Sequence, residues 1–300
     1  MPFSNSKTII AGPCSVESKE QLFATATQLK NTGKVEILRA GVWKPRTSPN
    51  SFEGLGVKAL PWLQEIQKKL SLPVTIEVAN PYHIEQALQH DIKILWLGAR
   101  TTVSPFSVQE IADALKGIDA TILIKNPINP DLNLWSGATE RLSKAGIKKM
   151  ALIHRGFSAS HRDFRYPPLW HLALQMKERH KDIPMICDPS HICGTKEKIQ
   201  SVAEQALRLG MKGLMIESHH KPEEAWSDAK QQITPKDLDY LLESLSWSEK
   251  TLSFFKDEII TDPITKEIEL INYEIEALEK RKGELLSSKK MPLQKASLFI

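Results

Sequence analysis

Three cysteines, Cys14, Cys187 and Cys193, are all that the 300 residues contain. A sparse, odd set cannot build a disulfide framework, and it suits a reducing compartment such as the cytoplasm. Nowhere does an apolar run approach the ~20 residues that a membrane-spanning helix needs. The start, MPFSNSKTIIAG, carries too short an apolar stretch for a signal peptide. A cytoplasmic chain with no membrane partner is therefore expected. No cluster of Lys and Arg with interleaved aromatics is present, which argues against a nucleic-acid partner. A Gly-x-Gly-x-x-Gly turn is also missing: the first apolar run ends Gly12-Pro13-Cys14, a poor loop for a dinucleotide. Net charge is only +4, and the excess sits in residues 1–247, where 31 Lys and Arg face 26 Asp and Glu. Small anionic substrates fit that surplus better than a polyanion.

What the chain does have is a repeated run of Val, Ile and Leu. There are eight: TIIAGPC (8–14), VEILRAG (35–41), PVTIEVA (73–79), IKILWLGAR (92–100), TILIKNP (121–127), KMALIHRG (149–156), PMICDPSH (184–191) and GLMIESHH (213–220). Nearly continuous apolar runs are the mark of parallel strands covered on both faces. Between them lie stretches with helical spacing, such as 55–70, 105–116, 134–145 and 194–209. A doubly wound sheet would give similar runs but lacks its nucleotide turn here. Eight strand–helix units predict a (β/α)8 TIM barrel over residues 1–247, with a short helical appendage over 248–300. In such a barrel the C-terminal strand ends form the mouth.

Those ends carry Cys14, Arg39, Glu77, Arg100, Lys125, Arg155, His191 and Glu217, and Asp228 follows the eighth run. Strands one and eight are neighbours in a closed barrel, and seven adjoins eight, so Cys14, His191, Glu217 and Asp228 can meet. A thiolate, an imidazole and two carboxylates suit a divalent Mn, Fe, Co or Zn ion. Spacing leaves other readings open. A cysteine after a strand is commonly a small buried hydrophobe, which is also the reading of Cys187 and Cys193, and His219 and His220 are rival ligands. The cations form a second group. Arg39, Lys44 and Arg46 come from the second strand and its loop, and Arg100, Lys125 and Arg155 from the fourth, fifth and sixth. Any one of them alone reads as a surface charge. Two such charges ~6 Å apart repel by roughly 3 kcal/mol at an effective dielectric of ~20, so a ring of them calls for anionic ligands. Arg groups suit phosphate and carboxylate through paired hydrogen bonds.

With these residues in view, the chain resembles the 3-deoxy-D-arabino-heptulosonate 7-phosphate (DAHP) synthases over about residues 7–245. It is most similar to their type I β branch, whose barrel is fused in some bacteria to a C-terminal chorismate mutase. The stretches that carry the resemblance are IIAGPCSVES, LRAGVWKPRTSPNSFEGLG, ICDPSHICG and IESHHKPEEAWSDAKQQITP. The resemblance implies condensation of phosphoenolpyruvate with erythrose 4-phosphate by a homo-oligomer, a dimer or a tetramer. It implies that Cys14, His191, Glu217 and Asp228 hold the metal, that Arg39, Lys44, Arg100, Lys125 and Arg155 surround phosphoenolpyruvate, and that Arg46 and Thr47 hold the sugar phosphate. Lys44 is the expected proton donor, with Cys14 and His191 the other catalytic residues. Two departures stand out: His154 where the family often has Glu, and Thr101-Thr102-Val103 where many relatives have Asn-Met-Gln. The sibling family that makes 3-deoxy-D-manno-octulosonate 8-phosphate has a Lys-Ala-Asn-Arg-Ser-Ser type loop where this chain reads KPRTSP, which favours the four-carbon sugar. Two other readings stand beside this one. In the first, Lys125 is a Schiff-base nucleophile that needs no metal; in the second, the barrel senses a phosphorylated metabolite without catalysis.

The appendage contains ITKEIELINYEIEALEKRKGELL, with Ile264, Ile268, Ile271, Ile275, Leu278 and Leu285 mostly three or four residues apart. That spacing predicts one amphipathic helix. It faintly resembles the first helix of a chorismate mutase, truncated or degenerate. Packing against the barrel or a second subunit is the expected use.

Overall fold

The computed structural model of the protein describes residues 7–45, 50–159 and 163–246, together with Glu279, Lys282 and Gly283. Arg46, Thr47 and the apolar stripe of the appendage lie outside the described residues. Eight strands form one closed, all-parallel barrel in chain order. They are β1 (Thr8–Gly12), β2 (Ile37–Arg39), β3 (Val74–Val78), β4 (Ile94–Leu97), β5 (Thr121–Lys125), β6 (Lys149–His154), β7 (Met185–Cys187) and β8 (Gly213–Glu217). The helices are α1 (Lys19–Asn31), α2 (Leu60–Leu70), α3 (Pro81–Gln89), α4 (Ala99–Thr102), α5 (Pro105–Ala114), α6 (Leu132–Lys144), α7 (Trp170–Arg179), α8 (Pro189–Cys193), α9 (Ile199–Arg208) and α10 (Pro235–Ser244). Every strand falls inside one of the eight apolar runs, and the barrel expected from them is the observed fold. Among the described residues no helix is long and apolar enough to cross a membrane.

Polar caps set where the loops give way to helices. Ser18, Asn80, Ser104 and Asp131 each accept a backbone N–H of the first turn that follows, and Thr234 opens α10 with a capping box. The apolar runs extend past the strands because their last residues form buried loops or short helices. Arg100 is the clearest case: it lies not at the end of β4 but in α4, and it is exposed.

Period-two alternation divides the strand side chains into two layers. Residues such as Ile9, Ala11, Leu38, Val74, Ile76, Ile122, Ile124, Leu214 and Ile216 belong to the large core beneath the helices. The alternate positions Ile10, Ile37, Trp96, Leu123, Ala151, Ile153, Ile186 and Met215 fill the barrel interior. One further step of two along each strand reaches the mouth. That step gives Arg39, Glu77, Lys125, Arg155, Asp188 and Glu217, and at β1 and β4 it gives Gly12 and Gly98. The two glycines are required sterically. A Cβ at Gly12 would overlap the Arg39 carbonyl, and one at Gly98 would overlap the Glu77 carboxylate.

His154, the last residue of β6, faces outward and is fully buried beside Trp170 and Phe157, at ring-centroid distances of 5.1 and 5.8 Å. Burial, assisted by the neighbouring Arg155 charge, pushes its pKa down to about 3. The folded protein therefore keeps this ring neutral while the unfolded chain titrates near the ordinary value of 6.5. The unfolded state then binds the extra proton, so stability falls as pH drops from about 6.5 towards about 3. The slope from this one group approaches ~1.4 kcal/mol per pH unit. His154→Leu should flatten the decline of the urea midpoint between pH 6.5 and 4 while changing it little at pH 8.

Candidate active site

The charged layer at the mouth is organised as interlocking pairs. Arg39 Nη2 lies 3.0 Å from Glu217 Oε1, with both side chains buried. The guanidinium carbon sits 5.3 Å from the centre of the Trp96 ring, and Lys125 Nζ sits 5.7 Å from the same ring. Lys125 Nζ is 2.9 Å from Asp188 Oδ2. That carboxylate also lies 2.8 Å from His191 Nδ1, and its Oδ1 accepts the His191 backbone N–H at the start of α8. Asp188 was not among the residues singled out from the sequence, yet it joins two that were. Burial would raise its pKa, but His191 and Lys125 hold it well below the usual carboxylate range. Burial lowers Lys125, with Asp188 resisting the shift, and burial likewise lowers His191. Arg39 has unassigned hydrogen-bonding capacity: among the described residues its Nε and Nη1 are buried and have no hydrogen-bond partner, and the same holds for Glu217 Oε1 beside it.

Beside these pairs, Cys14, Glu217 and Asp228 each bring one donor atom within 4.8 Å of the other two. Cys14 Sγ is 3.2 Å from Asp228 Oδ2. Lys44 Nζ donates to Cys14 Sγ at 2.8 Å and to the Cys14 carbonyl at 3.0 Å. Asp228 adopts a left-handed backbone conformation with φ 49°, and its other oxygen accepts from Arg165 at 2.9 Å. Arg165 also donates to Gln231, whose amide donates in turn to Glu217 Oε2. Burial pushes the Cys14 thiol up to about 12, the Glu217 carboxylate adding to the rise and Lys44 opposing it. Burial pushes Glu217 and Asp228 upward in the same way, but Arg39, His191 and Lys44 together outweigh it for the former, and Arg165, His191 and Lys44 together for the latter, so both are lowered.

His191, the fourth expected ligand, stands next to this trio rather than within it, with Nε2 3.7 Å from Glu217 Oε1. If Nδ1–H donates to Asp188, Nε2 presents a lone pair to a carboxylate oxygen. Two acceptors facing each other are satisfied by a cation between them. A soft sulfur donor, two carboxylates and an oriented imidazole therefore fit a divalent transition metal. The rival histidines face elsewhere. His219 Nδ1 accepts from the Lys221 backbone, and His220 Nδ1 lies 3.3 Å from the Thr25 hydroxyl. Cys187 and Cys193 are buried in the core beneath the helices, as expected of packing cysteines.

Above the trio and the pairs opens a cleft of about 350 Å³, lined among others by Lys44, Glu77, Arg100, Lys125, Arg155, Arg165, Tyr166, His191 and Asp228. Arg155 is held from two sides. Its backbone N–H donates to Asn126, and its guanidinium stacks 3.6 Å from the centre of the Tyr166 ring. Chemically, the mouth offers anion recognition by several cations alongside a candidate metal centre.

A model of the DAHP synthetase I family matches residues 4–253. The chain belongs to the DAHP synthetase I family. Within reach of that family, phospho-2-dehydro-3-deoxyheptonate aldolase of Thermotoga maritima is 33% identical over 227 residues, 75% of this chain and 65% of that protein. The chain thus spans just under two thirds of this relative's length. The 2-dehydro-3-deoxyphosphooctonate aldolase of Rhodopseudomonas palustris is 27% identical over 266 residues, 79% of this chain and 86% of that protein. The crystal structure of the Thermotoga maritima DAHP synthase superposes with a TM-score of 0.72 at 30% identity, covering 79% of this chain and 67% of that one. A truncated form of 3-deoxy-D-arabino-heptulosonate 7-phosphate synthase from Thermotoga maritima gives 0.68 at 26% identity, covering 79% and 84%. The DAHP synthetase I assignment is thus carried by most of the described barrel.

Asp188 tests the energetics of the pairing. Asp188→Ala leaves the Lys125 ammonium buried without its partner and releases the His191 ring. The expected loss is about 3 kcal/mol of unfolding free energy, the usual cost of breaking a buried ion pair, measured by urea denaturation at neutral pH.

Proposed function

We propose that the protein condenses phosphoenolpyruvate with erythrose 4-phosphate and water to give DAHP and inorganic phosphate, the first step of the shikimate pathway. The observation that carries this reading is the buried Arg39, with two unpaired N–H positions, set beside Lys125, Arg155 and the Cys14–Glu217–Asp228 trio. It joins a polyanion site to a metal-ligand set at one barrel mouth. Membership of the family and the greater identity to the Thermotoga heptonate aldolase than to the octonate enzymes support the four-carbon sugar. The KPRTSP loop supports the same choice.

In this reading Arg39, Lys125, Arg155 and Arg100 hold the carboxylate and phosphate of phosphoenolpyruvate, and Arg46 and Thr47 hold the phosphate of the sugar. Cys14, Glu217, Asp228 and His191 would hold the divalent ion, which when bound supplies a Lewis acid for the aldehyde oxygen. The C3 carbon of phosphoenolpyruvate forms a bond to the aldehyde carbon, whose C=O pair moves to oxygen and takes a proton. Lys44 is placed to give that proton: burial would lower its pKa, but its contact with the Cys14 sulfur and the Glu217 charge leave it raised, so it is an ammonium at neutral pH. The C2=C3 π electrons that form the new bond leave C2 electron-poor. Water adds there and gives up two protons, one restoring Lys44 and one leaving with the phosphate, which takes the C–O bond electrons. The cations fix both substrates in register and stabilise charge, which accounts for most of the rate advantage such a site can supply. Lys125 already forms an ion pair with Asp188, an arrangement that serves anion binding better than imine formation.

The deciding assay is phosphate release with both substrates, with each alone, and with arabinose 5-phosphate replacing the four-carbon sugar. Release should need phosphoenolpyruvate and erythrose 4-phosphate together and should stop on chelation. Cys14→Ser should lower the rate at least ~100-fold, whereas Cys187→Ser and Cys193→Ser should keep most of it. Arg46→Ala should raise the KM for erythrose 4-phosphate and Arg155→Ala that for phosphoenolpyruvate. Full activity of chelated Cys14→Ser protein would refute the metal-dependent reading, and a preference for arabinose 5-phosphate would move the enzyme to the sibling class.

A further inference from the structure

Cys14 and Asp228 come from loops far apart in the chain, and something must hold those loops together if the trio is to keep its shape. The bonds between them converge on Glu17. This residue lies three positions after Cys14, is buried, and approaches no substrate-facing group of the cleft. Its Oε1 accepts from the Ser15 hydroxyl at 3.0 Å and from the Trp226 backbone N–H at 2.8 Å, two residues before Asp228. Because the Ser15 hydroxyl proton goes to Glu17, the Ser227 hydroxyl must be the donor in the 2.7 Å contact between the two serines. Gln232 completes the seam: its Oε1 accepts from the Cys14 N–H and its amide donates to the Ser227 carbonyl.

The second oxygen of Glu17 lies nearest His219, in the loop after β8. His219 Nδ1 accepts from the Lys221 N–H, so in the neutral ring the proton sits on Nε2. That Nε2 lies 3.7 Å from Glu17 Oε2, and among the described residues it has no hydrogen-bond partner. One buried carboxylate thus accepts from a hydroxyl in the loop after β1 and a backbone amide in the loop after β8, with the His219 ring 3.7 Å from its other oxygen.

We infer that Glu17 is a positioning residue for the metal centre, clamping the Cys14 loop to the Asp228 loop so that the thiol and carboxylate stay within ligating range of one ion. The inference rests on the reading of Cys14, Glu217 and Asp228 as metal ligands. Groups that orient ligands without touching the ion typically matter by 10–100-fold in metal affinity. A residue that merely stabilises the fold would lower the melting temperature and leave the affinity of the folded protein unchanged.

The test is titration of the metal-free full-length protein with Co²⁺, following the sulfur-to-cobalt charge-transfer absorption and the dissociation constant. The melting temperature is recorded for each variant. Glu17→Leu should weaken Co²⁺ binding ~10–100-fold and diminish the charge-transfer band in protein that remains folded at the assay temperature. Ser15→Ala removes one link with little change of volume and should weaken binding in the same direction by a smaller factor. If the leucine variant does not fold, the alanine variant carries the test. Wild-type affinity and an unchanged band in either folded variant overturn the clamp. A Cys14→Ser control separates the two levels. If wild type and Cys14→Ser bind Co²⁺ alike with no sulfur band, the metal reading itself fails and the clamp falls with it.

Discussion

The contact between Arg39 and Glu217 is the constraint to which the rest of the mouth answers. It spans β2 and β8, the two strands that flank β1, and it closes over a position where no side chain can stand. An isolated buried charge of either sign would be expelled or neutralised. As a pair, each keeps the other ionised, and Glu217 remains an anion despite its burial and the neighbouring Asp228 charge, both of which favour its protonation. Removing one member of such a pair costs about 3–5 kcal/mol because the survivor is left without compensation. The Lys125–Asp188–His191 chain repeats the arrangement, and both cations, Arg39 and Lys125, approach the Trp96 ring.

This pairing also explains how a rim so rich in cations stays folded. Burial lowers Lys125 and Arg155, and carboxylates at Glu77, Asp188 and Glu217 lie in the same layer to offset it. Within the alternating layer the signs are even, three cations to three carboxylates, and the surplus of positive charge comes from Lys44, Arg100 and Arg165 around it. Six inward positions near the mouth are charged, while the two remaining strands contribute glycine, where the Arg39 backbone and the Glu77 carboxylate take up the space a side chain would need. Nε and Nη1 of Arg39 are buried in this layer without hydrogen-bond partners among the described residues, and an anionic ligand is the chemistry that would satisfy them.

Much of this was legible in the sequence because apolar continuity reports burial, and burial on both faces is peculiar to parallel strands. The eight runs hold the eight strands in order, and their ends name most of the mouth. The ends themselves misplace Arg100, since Leu-Gly-Ala continues the apolar character of β4 into the first turn of α4. Asp188 escaped notice because it sits within the Asp-Pro-Ser-His turn, where a helix-capping carboxylate is the ordinary reading. Its parity with Ile186, two residues earlier, was the available signal. Arg165, Gln231 and Glu17 were invisible for another reason: their partners lie 63, 14 and 209 residues away, and nothing in a linear chain announces such distances. The position of His191 beside the trio, rather than within it, follows from its tether to Asp188, which period and composition do not encode.

The strand pair that completes the barrel is β1 with β8, and the Cys14–Asp228 contact bridges 214 residues across that same line. The candidate centre therefore has no local precursor. A nascent chain lacking its last barrel strand has Cys14 but neither carboxylate, and a folding intermediate with an open cylinder has all three groups far apart. Loop closure over such a span is entropically unfavourable until the intervening strands have paired. Ligand-competent geometry thus arrives only with circular closure, so occupancy of the candidate centre would report whether the cylinder is shut.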